Sequence, residues 1–269
     1  MRVTFFFVKP ERGRLILLYS AVFLLIAVML HISLFSPYPP KRSGFQGFGD
    51  IYTVTDTGTI PYIQDARADA YAADIGKCLV YINLDKLYLL VYKDGQQVRA
   101  FPCSGGKNAT PSPYGQWKVI SKDTWGDGFG GYWMGLNVPW GKYGIHGTSR
   151  PWYIGRYNAS KGCIRLYSED AKELYRLVPY GATIIIENEN RPFRVIQNGM
   201  VGSDVRDVQI ALKALNIYNS SLDGKYGDSM SKSVRTFQKQ NRLPVTGTVD
   251  KTTYNLIMTL FNEVKEPLE

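Results

Sequence analysis

Apolar residues along this chain follow three different rhythms, and the changes of rhythm mark its parts. Leu15 to Phe35 is an unbroken run of twenty-one residues without Asp, Glu, Lys or Arg, about the length a helix needs to cross the hydrocarbon core of a bilayer. From Cys78 the pattern changes to short runs rich in Val, Ile, Leu and Tyr: Cys78–Asn83, Lys86–Tyr92, Gln97–Ser104, Gln116–Ser121, Tyr132–Leu136, Tyr143–Ile145 and Thr183–Glu187. These read as strands, and Asp94-Gly95 between two of them reads as a tight hairpin turn. One helix interrupts them, with Ser168 as its N-cap, Ala171, Leu174, Tyr175 and Val178 on its apolar face, and Pro179-Tyr180-Gly181 as its end. Beyond Val201 the spacing becomes three and four. Val205, Val208, Leu212 and Leu215 make one stripe, Met230, Val234 and Phe237 a second, and Tyr254, Ile257, Met258 and Phe261 a third.

These rhythms predict a mainly β domain, sandwich or barrel-like, over residues 77–189, and a small all-α domain over 198–264. The apolar run at 15–35 is expected to be an uncleaved transmembrane helix. Its basic flank at 1–14 (Arg2, Lys9, Arg12, Arg14) is then cytoplasmic by the positive-inside rule. A cleavable signal peptide is the competing reading, but no small-x-small site follows; the text is Ser36-Pro-Tyr-Pro-Pro. Either way the rest of the chain is exported, and the anchor reading makes it a single-pass membrane protein. Residues 36–76, rich in Pro, Gly, Ser and Thr at first, form a linker in which Gln64–Asp74 reads as a short alanine-rich helix.

Charge adds topology rather than a partner. The net charge is +9, and residues 1–42 hold six basic side chains against Glu11. No basic stripe interleaved with aromatics points to nucleic acid; an anionic surrounding such as cell wall fits the remaining excess. Three cysteines, Cys78, Cys103 and Cys163, do not make a disulfide framework. Cys78 and Cys103 lie in strand-like text as buried apolar residues, with a disulfide between them as the lesser alternative. Two histidines are too few for a His/Cys metal site, and no cofactor is expected. The stretch Gly105-Gly106-Lys107 to Gly115 is a loop that lacks the Gly-Lys-Ser/Thr ending of a phosphate cradle. Thr124–Gly131, glycine-rich with Trp125 and Phe129, is either a wall of a cleft or a structural turn.

The chemistry gathers in His146 to Leu166. His146 stands in Ile-His-Gly, and Cys163 in Ser-Lys-Gly-Cys-Ile-Arg. A thiol is a strong nucleophile only as thiolate, and an imidazole beside it can take its proton. A glycine directly before the nucleophile lets a carbonyl approach the backbone. Alone, a Cys and a His are more often a buried hydrophobe and a satisfied surface histidine; the spacing and glycine context set these two apart.

The segment resembles the catalytic-cysteine L,D-transpeptidases, whose signature is His-Gly-Thr/Ser followed some fifteen residues later by Ser-His-Gly-Cys-Ile/Val-Arg. The sequence departs from it at Lys161, which stands where the commoner spelling has histidine. A lysine there could still favour thiolate by its charge. The loop Gly106-Lys107 to Gly115 resembles the Gly-Lys…Thr-Pro-x-Gly stretch of the same family. The C-terminal part resembles the three-helix peptidoglycan-binding domain through Val205-x-x-Val-Gln209, Asp223-Gly-x-Tyr-Gly227, Val234-x-x-Phe-Gln238 and Thr246-Gly-x-Val249. An imperfect repeat at an offset of 23 lays Asp223-Gly224 over Thr246-Gly247. A helical bundle that merely packs on the enzyme is the alternative.

The resemblance implies a peptidoglycan transpeptidase. Cys163 attacks the carbonyl of the third residue of a tetrapeptide stem, D-alanine leaves, and the side-chain amine of a neighbouring stem resolves the thioester as a 3→3 crosslink. His146 is the base. The Gly147 carbonyl orients the imidazole, the N–H groups of Gly162 and Cys163 face the oxyanion, and Arg165 organises the site. Donor and acceptor stem peptides are the partners, and carbapenems should form the same thioester. If water resolves it, the enzyme is an L,D-carboxypeptidase; if the site is degenerate, the protein is a wall-tethering adaptor.

Overall fold

The computed structural model describes residues 52–53, 62–124, 126 and 129–265. The run Leu15–Phe35 lies outside them, and among the described residues no helix is long and apolar enough to cross a membrane. Among the described residues ten strands run in chain order: β1 Tyr52–Thr53, β2 Tyr62–Ile63, β3 Cys78–Asn83, β4 Tyr88–Lys93, β5 Gln96–Pro102, β6 Gly115–Asp123, β7 Trp133–Leu136, β8 Tyr143–His146, β9 Ile164–Arg165 and β10 Thr183–Glu187. The helices are α1 Ala66–Ile75, α2 Ser168–Leu177, α3 Ser203–Ala214, α4 Asp228–Gln240 and α5 Lys251–Lys265. The mainly β domain and the helical domain are both present.

Eight strands form one sheet in the order β5-β4-β3-β10-β6-β7-β8-β9. Pairing is antiparallel except at β3–β10 and β8–β9. The sheet curls until its two edges meet. Ser104, just past edge strand β5, exchanges both backbone hydrogen bonds with Arg165 of the opposite edge strand, at 3.0 and 2.8 Å. That closure is the barrel-like character expected of the domain, and it sets the end of β9 against the loop after β5.

The hairpin is a two-residue turn with positive φ at both Asp94 (49°) and Gly95 (78°), the primed geometry whose twist matches the flanking strands. Inside the curl, Val80, Ile82, Leu89, Val91, Val119, Ile145 and Ile164 join Ala171 and Leu174 of α2 in the main core. The alternate residues Leu79, Tyr81, Leu90 and Tyr92 face the other side and pack under Ala68 and Ala72 of α1. A sheet covered on both faces explains why β3 and β4 read as continuous apolar runs rather than alternating ones.

Three boundaries shift. The helix expected within the linker is α1. Asp65 caps it, accepting from the Arg67 and Ala68 N–H groups at 3.1 Å each and from the Tyr88 hydroxyl, so the end of the 36–76 linker belongs to the β domain. Ser168 is the first residue of α2 rather than its cap, which is Tyr167. The helical domain begins before residue 198, because Ile196 is in its core and exchanges backbone hydrogen bonds with Val249.

In the helical domain, Val205, Val208, Leu212, Met230, Val234, Phe237 and Ile257 are buried together, as the stripes require. Two buried glutamines perform the same task twice. Gln209 accepts from the Gly224 N–H at 2.8 Å and donates to the Lys225 carbonyl at 3.1 Å. Gln238 accepts from the Gly247 N–H at 2.9 Å and donates to the Thr248 carbonyl at 2.8 Å. Each amide spans a glycine turn, and this is the physical content of the imperfect repeat.

Candidate active site

The parallel pairing of β8 with β9 places Ile145 beside Ile164 and His146 beside Arg165. Both isoleucines point into the core. Because side chains alternate along a strand, His146, Cys163 and Arg165 share the opposite face. Cys163, one residue before β9, lies level with Gly144, whose backbone N–H supports the sulfur. Gly144 has no room for a side chain, since a Cβ there would come within 2.6 Å of the Met134 carbonyl oxygen and of the Trp133 ring.

His146 is 3% exposed. Its ring lies 5.6 Å from that of Trp133 and 5.1 Å from that of Phe129, centroid to centroid. Nδ1 stands 2.5 Å from the Gly147 carbonyl oxygen. A carbonyl only accepts, so Nδ1 carries the proton and Nε2 offers a lone pair. Gly147 must be glycine, because Gly130 and Ser168 would each lie 2.9 Å from a Cβ there. Burial is the main reason the imidazole pKa falls to about 4; the Arg165 charge adds to the fall, and the Gly147 carbonyl opposes it. Burial also pushes the Cys163 thiol up, against the Gly144 N–H and Arg165, which pull it down. At neutral pH the resting pair is therefore a neutral thiol and a neutral imidazole rather than an ion pair.

Ser160 shapes the turn that presents the thiol. Its buried hydroxyl accepts from the Gly162 N–H at 2.9 Å and donates to the Cys163 carbonyl at 2.6 Å. The Gly162 N–H is thus already committed, which corrects its expected place facing the oxyanion. The Cys163 N–H has no protein acceptor among the described residues and remains available. Gly162 itself has φ +119°, and a Cβ there would lie 2.6 Å from the Tyr143 ring. Both facts demand glycine.

The glycine-rich loop after β5 backs this turn. The Gly105 carbonyl accepts from the Ala159 and Ser160 N–H groups at 2.9 Å, and the Lys107 N–H donates to the Ser160 carbonyl at 3.1 Å. A Cβ on Gly106 would stand 2.9 Å from the Gly162 Cα. The stretch is a support for the cysteine loop, not a phosphate cradle.

Arg165 is partly buried. Nη1 donates to the Tyr153 hydroxyl at 2.5 Å, and Nε is buried without a hydrogen bond. Lys161 is exposed. Arg165 is a cation whose field lowers the thiol pKa. All three cysteines are free; Cys103 is fully buried, and its thiol is pushed far up by that burial. Sequence reasoning assigned no role to Ser160, Tyr143, Tyr153 or Gly144. Ser160 lies inside the quoted motif and was within reach; the others come from separate strands and a loop.

Residues 79–186 match the family model described as "L,D-transpeptidase catalytic domain", and residues 201–257 the one described as "Putative peptidoglycan binding domain". The chain is 34% identical over 108 residues to a Bacillus licheniformis protein named "Putative L,D-transpeptidase YkuD", covering 40% of this chain and 64% of that one. It is 33% identical, with the same coverage, to the protein of that name in Bacillus subtilis. The chain thus spans 64% of the length of these two curated relatives. A solved L,D-transpeptidase from Mycobacterium smegmatis superposes with a TM-score of 0.36 at 26% identity, over 42% of this chain and 59% of that one. An L,D-transpeptidase catalytic domain is therefore joined here to a C-terminal domain of the peptidoglycan-binding type.

Proposed function

We propose that this chain is a cysteine-dependent L,D-transpeptidase of peptidoglycan, acting outside the cytoplasm and tethered by the apolar segment 15–35. The observation that carries the reading is the one-faced arrangement of His146 and Cys163 on neighbouring strands, with Nδ1 of the imidazole held by the Gly147 carbonyl.

The chemistry follows from that arrangement. Nε2 of His146 takes the thiol proton as Sγ of Cys163 adds to the carbonyl carbon of the third stem residue, a diamino acid. The Cys163 N–H supports the oxyanion, and the buried imidazolium is stabilised only while that negative charge exists. His146 then gives the proton to the departing amine of D-alanine, and the carbonyl carbon stays on sulfur as a thioester. The side-chain amine of a second stem attacks, loses a proton to His146 and releases the thiol, leaving a 3→3 amide. A neutral resting pair suits this cycle, because the base must be unprotonated at the moment of attack. The helical domain holds the enzyme on the polymer.

Purified protein lacking residues 1–44 and incubated with a stem tetrapeptide should gain the mass of the acyl tripeptide on Cys163 and release D-alanine. Muropeptides from treated wall should contain 3→3 dimers. Tripeptides without dimers would assign the enzyme as a carboxypeptidase instead. No adduct and no altered muropeptide would leave only a wall-tethering role.

A further inference from the structure

Two residues before Cys163, the chain borders a cleft of about 450 Å³ between the β domain and the helical domain. Clefts of ~300–1,000 Å³ are the size that houses a small ligand. Its walls are residues 108–114 with Trp140, Tyr143 and Lys161, the connecting segment 188–194, and residues 201–204 with Tyr254. Tyr143 is the partition. It lines the cleft while its ring edge lies against Gly162, the residue before the thiol.

Contacts between the domains border this space. The Tyr114 hydroxyl donates to Asp207 at 2.6 Å, Ser203 Oγ donates to the Tyr114 carbonyl at 2.7 Å, and Gly224 sits against the face of Trp140. The cleft is a built feature of how the helical domain docks, and on the β-domain side it ends at Tyr143 and Lys161, next to the cysteine turn.

Its charges do not cancel. The lining holds five acidic or basic side chains. Glu189 takes Arg67 from outside, and Arg194 holds Asp204 by two bonds at 2.6 and 2.8 Å. Lys161 and Arg191 remain. Lys161 makes no hydrogen bond or ion pair among the described residues. Arg191 stacks 3.7 Å over the Tyr114 ring and gives one N–H to the Asn188 carbonyl at 2.7 Å, with no carboxylate in ion-pair range among the described residues. Two cations from different walls thus border an otherwise neutral groove with aromatic sides, and charge-assisted hydrogen bonds to a carboxylate are the interaction they are equipped to make.

We propose that this cleft is the binding site for a peptidoglycan stem peptide, an acidic peptide whose carboxylates are held by Lys161 and Arg191 while its backbone passes Tyr143 to reach Cys163. The assignment rests on the reading of Cys163 as the acyl-transfer thiol of peptidoglycan. It gives Lys161 a task that its position beside the thiol does not: the ammonium serves the ligand, and Arg165 serves the thiol.

The test separates binding from chemistry. Calorimetry with a synthetic stem tetrapeptide is run on Cys163→Ala protein, alone and combined with Lys161→Ala, Arg191→Ala or Arg191→Lys. Each alanine should raise Kd roughly tenfold, the lysine should restore most of the loss at 191, and amidating the carboxylates of the peptide should weaken binding to the parent but not to the alanine variants. Unchanged Kd in both alanine variants, or no measurable binding to the parent, would overturn the cleft. So would binding of peptide-free glycan that is lost in those variants while tetrapeptide binding persists. Adduct mass on wild-type Cys163 reports the transpeptidase reading independently, so the failure of one is distinguishable from the failure of the other.

Discussion

The Ser160 hydroxyl donates to the Cys163 carbonyl at 2.6 Å while accepting from the N–H of Gly162, so one buried side chain fixes both sides of the turn that carries the thiol. Replacing Ser160 by alanine leaves the buried Gly162 N–H without an acceptor, at a cost of about 1–3 kcal/mol. Urea unfolding of Ser160→Ala should show that loss. Acylation by a carbapenem should slow as well, because the Cys163 N–H loses its fixed direction. A variant as stable and as reactive as the wild type would mean the turn is held by the Gly105 and Lys107 contacts alone.

Cys163→Ala should abolish acylation without unfolding the domain, since this half-buried thiol contributes little packing. His146→Ala should retain the thiol but slow acylation ~10²–10⁴-fold, the usual worth of a general base. Peptide mapping of the adduct decides the matter. An adduct on Cys78 or Cys103 would contradict the place of Cys78 in β3, the full burial of Cys103 and the raised thiol pKa of each.

Burial holds the His146 imidazole down at about 4, against ~6.5 in an unfolded chain. Between these values the unfolded chain binds the extra proton. The contribution to stability is therefore complete above pH ~6.5 and is lost as pH falls toward 4, by ~3 kcal/mol at most. Urea midpoints measured from pH 7 to pH 4 should fall more for the wild type than for His146→Gln. The acid limb of carbapenem acylation should lie well below the usual imidazole value; a midpoint near 6.5 would show that the imidazole is not desolvated.

The helical domain has its own core and its own glycine-turn clamps. A fragment from Arg191 to the C-terminus should fold alone and sediment with purified peptidoglycan. A fragment starting at Asn198 should melt lower, because it lacks Ile196 and its bonds to Val249. Gln238→Ala should destabilise either fragment by ~1–3 kcal/mol by leaving the buried Gly247 N–H unpaired. Folding without sedimentation would assign the domain a docking role only.

Protease added to intact spheroplasts should digest everything beyond about residue 37 and spare a small membrane-embedded stub. A mature N-terminus just after Ser36 would replace the anchor by a cleaved signal.

Features that depend on neighbours along the chain were legible in residue order. Short apolar runs identified β3 to β8 and β10, and the period of three to four identified the three C-terminal helices, because burial of a strand or of one helix face imposes those patterns directly. The Asp94-Gly95 turn was legible because few residue pairs tolerate two positive φ angles. Cys163 and His146 were legible because their glycine-flanked motifs preserve local backbone needs. Features that join strands and loops far apart in sequence came from the folded arrangement. Register brought Cys163 level with Gly144 and set Arg165 beside His146. The closing of the sheet at Ser104 put the loop 105–115 behind the cysteine turn. Ser160 spent the Gly162 N–H, and the docking of the helical domain created the cleft at Lys161 and Arg191. These are hydrogen-bond and packing choices among groups whose separation along the chain carries no information about their distance in space, so residue order could single out the proposed cysteine–histidine pair but not the groups that position it.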